Sequence, residues 1–216
     1  MIICMWVDDY LVLSNSQALY DEIYGDYFAG VQGEDGDLDY MLGLNFEVSV
    51  EDQTIKIHSA KQIRSIVERF GTPQRASHVP ALPEHADLPK EPLPTVDSPL
   101  WHRLRERAKR YRSQVPAMLY TASTSRPDIC YIIGILCRCL DNPSERHLDA
   151  DDLCMAYLHT TPNLGVQYGR KNGPDGLETI YSALKDELEA LSDSDWSTGH
   201  SISGFVLFLA GAALLW

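Results

Sequence analysis

The chain has 216 residues, 44% of them hydrophobic, and a formal net charge of −13 at pH 7. That apolar fraction suffices for one large core or two small ones, while the acidic balance excludes a protein that holds nucleic acid by its overall charge, since phosphate contacts need Lys and Arg. Five cysteines with no CxxC pair argue against a zinc site or a disulfide framework and for buried free thiols in a reducing compartment.

The chain opens with MIICMWVDDYLVLSN. Two apolar, β-prone runs meet at Asp8 and Asp9, the pattern of a hairpin with two buried strands. Asp-Asp is a poor tight turn, because Asn-Gly or Asp-Gly supply the positive φ angles such turns need. Two adjacent carboxylates beside apolar walls repel, and at least one pKa should rise. A divalent cation would remove that conflict; a hairpin tip with both side chains in water is the alternative.

Two i, i+4, i+8 rows, Leu19/Ile23/Tyr27 and Tyr20/Tyr24/Phe28, predict an amphipathic helix over 16–29 with Ser16 as N-cap. The Gly/Asp-rich GVQGEDGD ends it. Residues 38–49 alternate apolar and polar, a half-buried strand, with Gly43 marking a bulge or a close backbone approach. EDQ turns the chain into TIKIHS. Ser59 starts a helix with Ile63, Ile66, Val67 and Phe70 inward, and Gly71 ends it. Seven of the twelve prolines fall within residues 72–99, which predicts an extended linker and not a packed element.

Residues 100–126 carry seven basic side chains and one acidic one, against six basic and seventeen acidic in residues 1–99. Six of the seven lie in WHRLRERAKRYR: Arg103, Arg105, Arg107, Lys109, Arg110 and Arg112. A solvated helix face and a phosphate-contact surface are both open readings. Pro116 should limit how far one helix runs. Pro127 starts another, apolar on nearly every face, and a third covers 144–159 with Leu148, Leu153, Tyr157 and Leu158 inward. Residues 164–168 read as a strand, GRKNGPDG as a loop, and 188–193, 203–209 and 213–216 as short strands.

These blocks together resemble the reverse transcriptase of copia-type LTR retrotransposons. WVDDYLVLS resembles its YVDD-type box, DLDYMLGLNFEV the hairpin that follows, and IKIHSAKQIRSIVERFGTP the next helical stretch. The block from MLYTASTSRPDICYIIGILCRCL to LGVQY, and then ALSDSDWSTGHSISGFVLFLAGAALLW, resemble the family's TRPDI segment and the opening of its ribonuclease H domain. The order of all five is more specific than any one.

The resemblance implies an α+β fold: a partial palm and thumb over 1–71, a Pro-rich linker over 72–99, a helical connection over 100–163, and the first strands of a ribonuclease H-like sheet over 164–216. It implies that Asp8 and Asp9 are catalytic ligands of Mg²⁺, in a two-metal site for nucleotidyl transfer on an RNA/DNA template–primer. It implies that Asp193, with Asp195 as the nearby alternative, is the first ribonuclease H metal ligand, and that Leu42 and Gly43 belong to a hairpin steadying the primer. Arg103, Arg105, Arg107, Lys109, Arg110 and Arg112 become candidate nucleic-acid contacts.

Departures from the family pattern accompany the matches. The sequence begins at the box, without the fingers and upstream palm that carry a third metal-binding aspartate, and ends before the ribonuclease H glutamate. Trp6 replaces a Tyr and Pro116 a Gly. The expectation is a polymerase fragment inactive alone; a non-catalytic nucleic-acid or protein-binding remnant, or an inert relic, are the alternatives. The apolar start lacks a basic n-region, and FVLFLAGAALLW is too short to span a bilayer. A soluble, intracellular, cytoplasmic chain follows, with a virus-like particle or the nucleus as the places the resemblance adds.

Overall fold

The computed structural model describes residues 1–7, 9–25, 36–86, 88–92, 94–169, 188–194 and 202–216. Asp8, Tyr27, Phe28, most of GVQGEDGD, most of GRKNGPDG and Asp195 lie outside these residues. The secondary structure is mixed α and β, and the chain divides into two compact units, Met1–Leu42 and Gly43–Trp216.

In the first unit, strands β1 (Ile2–Trp6) and β2 (Asp9–Leu13) pair antiparallel from Ile2 opposite Leu13 to Trp6 opposite Asp9. Val7, in the two-residue connection, has φ +52°. The expected burial is not found: Ile2, Met5 and Trp6 are each more than 60% exposed. Within the described residues of this unit the ribbon is two-stranded, with no further strand to extend it. Helix α1 (Gln17–Ile23) begins where the Ser16 hydroxyl accepts the Leu19 N–H at 3.3 Å, as its N-cap role requires.

The alternation over 38–49 does not produce one strand. β3 (Tyr40–Met41) stops at Leu42 and Gly43, both at positive φ (+52° and +82°), and β4 (Leu44–Ser49) starts afresh. A left-handed pair turns the backbone out of the pleat, which a period-two pattern cannot reveal.

Among the described residues the second unit has two sheets and four α-helices. β4 pairs with β5 (Thr54–His58), and β5 with β6 (Gly165–Gly169), all antiparallel. β7 (Glu189–Ser194), β8 (Ser203–Leu209) and β9 (Ala212–Leu215) form a second antiparallel sheet. Val166, Ala212 and Ala213 are buried between the sheets, with Tyr168 donating its hydroxyl to the Ala213 carbonyl at 2.7 Å.

Helix α2 (Ala60–Phe70) buries Ile63, Ile66 and Val67 and ends at Gly71, φ +92°. Ser59 does not cap it with its side chain. That hydroxyl is buried against the Ser125 hydroxyl at 2.6 Å, and the first free N–H groups go to His58 Nδ1 (from Ala60, 3.3 Å) and Asn45 Oδ1 (from Lys61, 3.1 Å).

Helix α3 (Pro99–Thr124) continues for 26 residues past Pro116, so the expected interruption is absent. A proline removes one i→i−4 bond, but Tyr111, Val115, Met118 and Ala122 are all fully buried, and that packed stripe keeps both halves helical. After a short 3₁₀ turn at Pro127–Ile129, α4 (Cys130–Cys137) buries Ile132, Ile133, Ile135 and Leu136. α5 (Glu145–Thr160) buries Leu148, Cys154, Met155 and Leu158. These four helices share one core.

The Pro-rich segment is not a free spacer. Ser77, His85 and Leu88 are buried, and Leu88 belongs to the helical core. Prolines remove backbone donors without preventing side chains from packing, so composition alone misleads here. Of the five thiols, Cys139 and Cys154 are buried as expected, whereas Cys4 is exposed on β1.

Candidate functional site

Asp9 opens β2 with an exposed side chain, directly opposite Trp6. Its carboxylate is a hard oxygen donor of the kind Mg²⁺ prefers. Among the described residues no group of three His, Cys, Asp or Glu side chains could hold a metal ion. Asp9 therefore fits the ion in donor type, and the described residues do not fill an octahedral set around it.

Leu42 closes the first unit and Gly43 opens the second. A Cβ on Gly43 would come 3.5 Å from the Tyr120 ring and 3.6 Å from Gln62 Oε1. Those are ordinary van der Waals distances, so the left-handed backbone is what favours glycine there.

Asp193 lies on β7 opposite Gly204, exposed, with its Oδ1 accepting the Ser194 N–H at 2.8 Å. It borders a shallow groove of about 460 Å³ lined also by Tyr131, Leu191, Phe205 and Val206.

The six cations of α3 do not share one environment. Arg103 meets Glu145 at 2.6 Å, Arg107 meets Asp149 at 2.8 Å and Asp152 at 3.0 Å, and Arg110 meets Asp152 at 3.7 Å. Each of the pairs 103/145, 107/149 and 110/152 spans the same 42 residues of sequence. α3 and α5 therefore run parallel here with their charged rows in register. Burial would lower the Arg107 pKa, but the hydrogen bonds to Asp149 and Asp152 outweigh it and raise it. Arg105 instead stacks on the Trp101 ring, 4.8 Å from its centroid, and Lys109 and Arg112 are exposed.

Behind this row sits a buried polar cluster. Asp151 is only 3% exposed; burial first, then the neighbouring Asp152 charge, raises its carboxyl well above the usual range, against the pull of Arg110, Gln114 and Arg107. Sequence reasoning took α5 only for its apolar face. The signal it passed over is that Glu145, Asp149 and Asp152 repeat the i, i+4, i+7 spacing of Arg103, Arg107 and Arg110.

A second cluster lies in the TSRPD block. Arg126 is fully buried; Nε and Nη2 bind the Asp128 carboxylate at 2.8–2.9 Å, Nη1 donates to the Thr161 carbonyl at 2.8 Å, and Tyr157 donates its hydroxyl to Asp128 at 2.7 Å. This ties the turn before α4 to the end of α5.

Relatives aligned along almost the entire chain include three transposon proteins. It is 24% identical over all of its length to the retrovirus-related Pol polyprotein from transposon TNT 1-94 of Nicotiana tabacum. It is 29% identical over 99% of its length to the putative transposon Ty5-1 protein of Saccharomyces cerevisiae, and 26% identical over 98% to the Pol polyprotein from transposon RE1 of Arabidopsis thaliana. Two of these relatives are named transposon Pol polyproteins and the third a putative transposon protein. The chain spans 15%, 64% and 13% of their respective lengths. No family model and no solved structure matches it.

Proposed function

We propose that this chain is the part of a copia-type retrotransposon Pol polyprotein that runs from the reverse-transcriptase catalytic box into the ribonuclease H domain. The observation that supports this reading is the alignment of transposon proteins along 98–100% of the chain, together with five family-like blocks in unchanged order. Asp8 and Asp9 are then the carboxylates that hold Mg²⁺, which supplies counter-charge to developing negative charge on a transferred nucleotide. Asp193 is the corresponding ligand for hybrid cleavage, and the partner is an RNA/DNA template–primer. No helix among the described residues is long and apolar enough to cross a membrane.

The test is primer extension on an RNA template with Mg²⁺. It compares the chain alone with the chain joined to the segment that precedes the matched region in the tobacco polyprotein. Extension is expected only from the joined protein, and should fall by two orders of magnitude or more, roughly, in Asp8→Asn or Asp9→Asn, since removing a metal ligand removes the geometry it fixes. Extension that survives both substitutions overturns the reading.

A further inference from the structure

The six cations of α3 read as one basic run in sequence, but they occupy two faces. At about 100° per residue, Arg103, Arg107 and Arg110 cluster along one line, and Arg105, Lys109 and Arg112 along another about 200° away. The buried stripe of Leu104, Ala108, Tyr111 and Val115 lies between the two. The first row faces the α5 carboxylates of Glu145, Asp149 and Asp152. The second row meets no described carboxylate within ion-pair distance, and its first member rests on an aromatic ring.

We propose that these rows do different work: Arg103, Arg107 and Arg110 hold α3 and α5 in register, while Arg105, Lys109 and Arg112 form a contact surface for the sugar–phosphate backbone of a nucleic acid. The assignment rests on the Pol reading above and narrows it to one helix face. Three carboxylates beside the first row cancel its field within a Debye length of about 8–10 Å, and they would repel an approaching phosphate. The second row keeps its charge. It rises about 10 Å along the helix, the reach of about three nucleotide steps of one strand. Trp101 lies under the Arg105 guanidinium at the start of this row, the pairing of cation and aromatic ring that single-strand contacts use.

A membrane surface is the less favoured partner. An interfacial helix needs a free apolar face to insert, and the apolar face of α3 is consumed by the helical core.

The test measures binding of a labelled RNA–DNA hybrid by the full chain across about 50 to about 200 mM salt, beside vesicles of phosphatidylserine and phosphatidylcholine. It compares wild type with two triple variants, Arg105→Gln/Lys109→Gln/Arg112→Gln and Arg103→Gln/Arg107→Gln/Arg110→Gln. The first variant should lose about 2–3 units of the log–log salt slope and roughly tenfold or more in affinity, with its melting temperature unchanged. The second should keep the slope and melt lower, because the α3–α5 row is broken. Wild-type binding with equal loss in both variants, or loss only in the second, overturns the division of the rows while leaving the Pol reading standing. Binding to vesicles but not to the hybrid, or to neither, overturns the contact-surface assignment, whereas the Pol reading falls only with the primer-extension test.

Discussion

Removing the carboxylate of Asp128 should unlatch the α5 end of the helical core. The Arg126 guanidinium has no contact with water, and Asp128 is its sole counter-charge among the described residues. Breaking a buried pair from one side costs about 3–5 kcal/mol, because the remaining charge stays buried without a partner. The Asp128 side chain is 30% exposed, so water can partly replace it, and about 2–3 kcal/mol is the better figure for Asp128→Ala. For a unit of this size each kcal/mol moves the melting temperature by about 2–4 °C, which predicts a fall of about 4–12 °C.

Thermal unfolding followed by near-ultraviolet circular dichroism reports this directly, since Tyr157 stacks on Arg126 and bonds Asp128. The double variant Arg126→Met/Asp128→Ala leaves no buried charge and should be less than additive by about 1 kcal/mol or more. There is also a pH signature. Burial would raise the Asp128 pKa, but hydrogen bonds from Arg126 and Tyr157 more than offset it and hold the group below 3.8. Its stabilisation is present above that value and lost as the pH falls through the folded pKa, and Asp128→Asn should lack this acid limb. A loss under about 0.5 kcal/mol, or strict additivity, would place the cluster among ordinary surface pairs and refute the reasoning.

Other consequences concern buried imidazoles, a glycine and the Asp151 pocket. His58 and His147 each accept a backbone N–H on Nδ1, and burial, the largest influence, pushes both below 6.5 despite the pull of Glu47 and Glu91 and with Lys56, Arg64 and Arg146 nearby. The unfolded chain binds more protons, so their contribution is full above pH 6.5 and lost on acidification; His58→Gln should flatten the melting temperature between about pH 6.5 and pH 5. A Cβ at Gly165 would collide with the Ile57 carbonyl oxygen on the paired strand, so Gly165→Ala should cost about 1–3 kcal/mol in urea unfolding; a neutral result would mean β6 does not pair with β5 in this register. Asp151 is a carboxyl whose folded pKa is raised, so its ionisation opposes folding as the pH rises above 3.8. Asp151→Asn should gain stability over wild type as the pH climbs, and a difference that stays constant with pH would contradict its burial.

The elements that could be read from sequence are those whose signals are local. The β4–β5 hairpin shows alternation on both arms, α2 shows an apolar stripe closed by Gly71, and β8 shows an apolar run after a glycine. What was not legible depends on remote partners. Ile2 and Met5 are exposed among the described residues, and no pattern within the strands states what packs against them. Pro116 looked like a stop because helix rules weigh one lost hydrogen bond; the burial of Tyr111 and Met118 on either side of it outweighs that loss. β6 completes a sheet with β5, more than a hundred residues earlier, and Leu88 is buried in a core built from helices that the Pro-rich segment does not itself form.

The basic run shows the same division at the level of the site. Its six cations are equivalent in composition, and helical periodicity alone sorts them into two rows. Which row stays free is decided by α5, 42 residues downstream, whose acids repeat the spacing of one row and not of the other. A charge cluster becomes a binding surface only where no carboxylate of its own chain reaches it first. Among the described residues half of the run is therefore paired, and the proposed nucleic-acid surface is the half that no described carboxylate reaches.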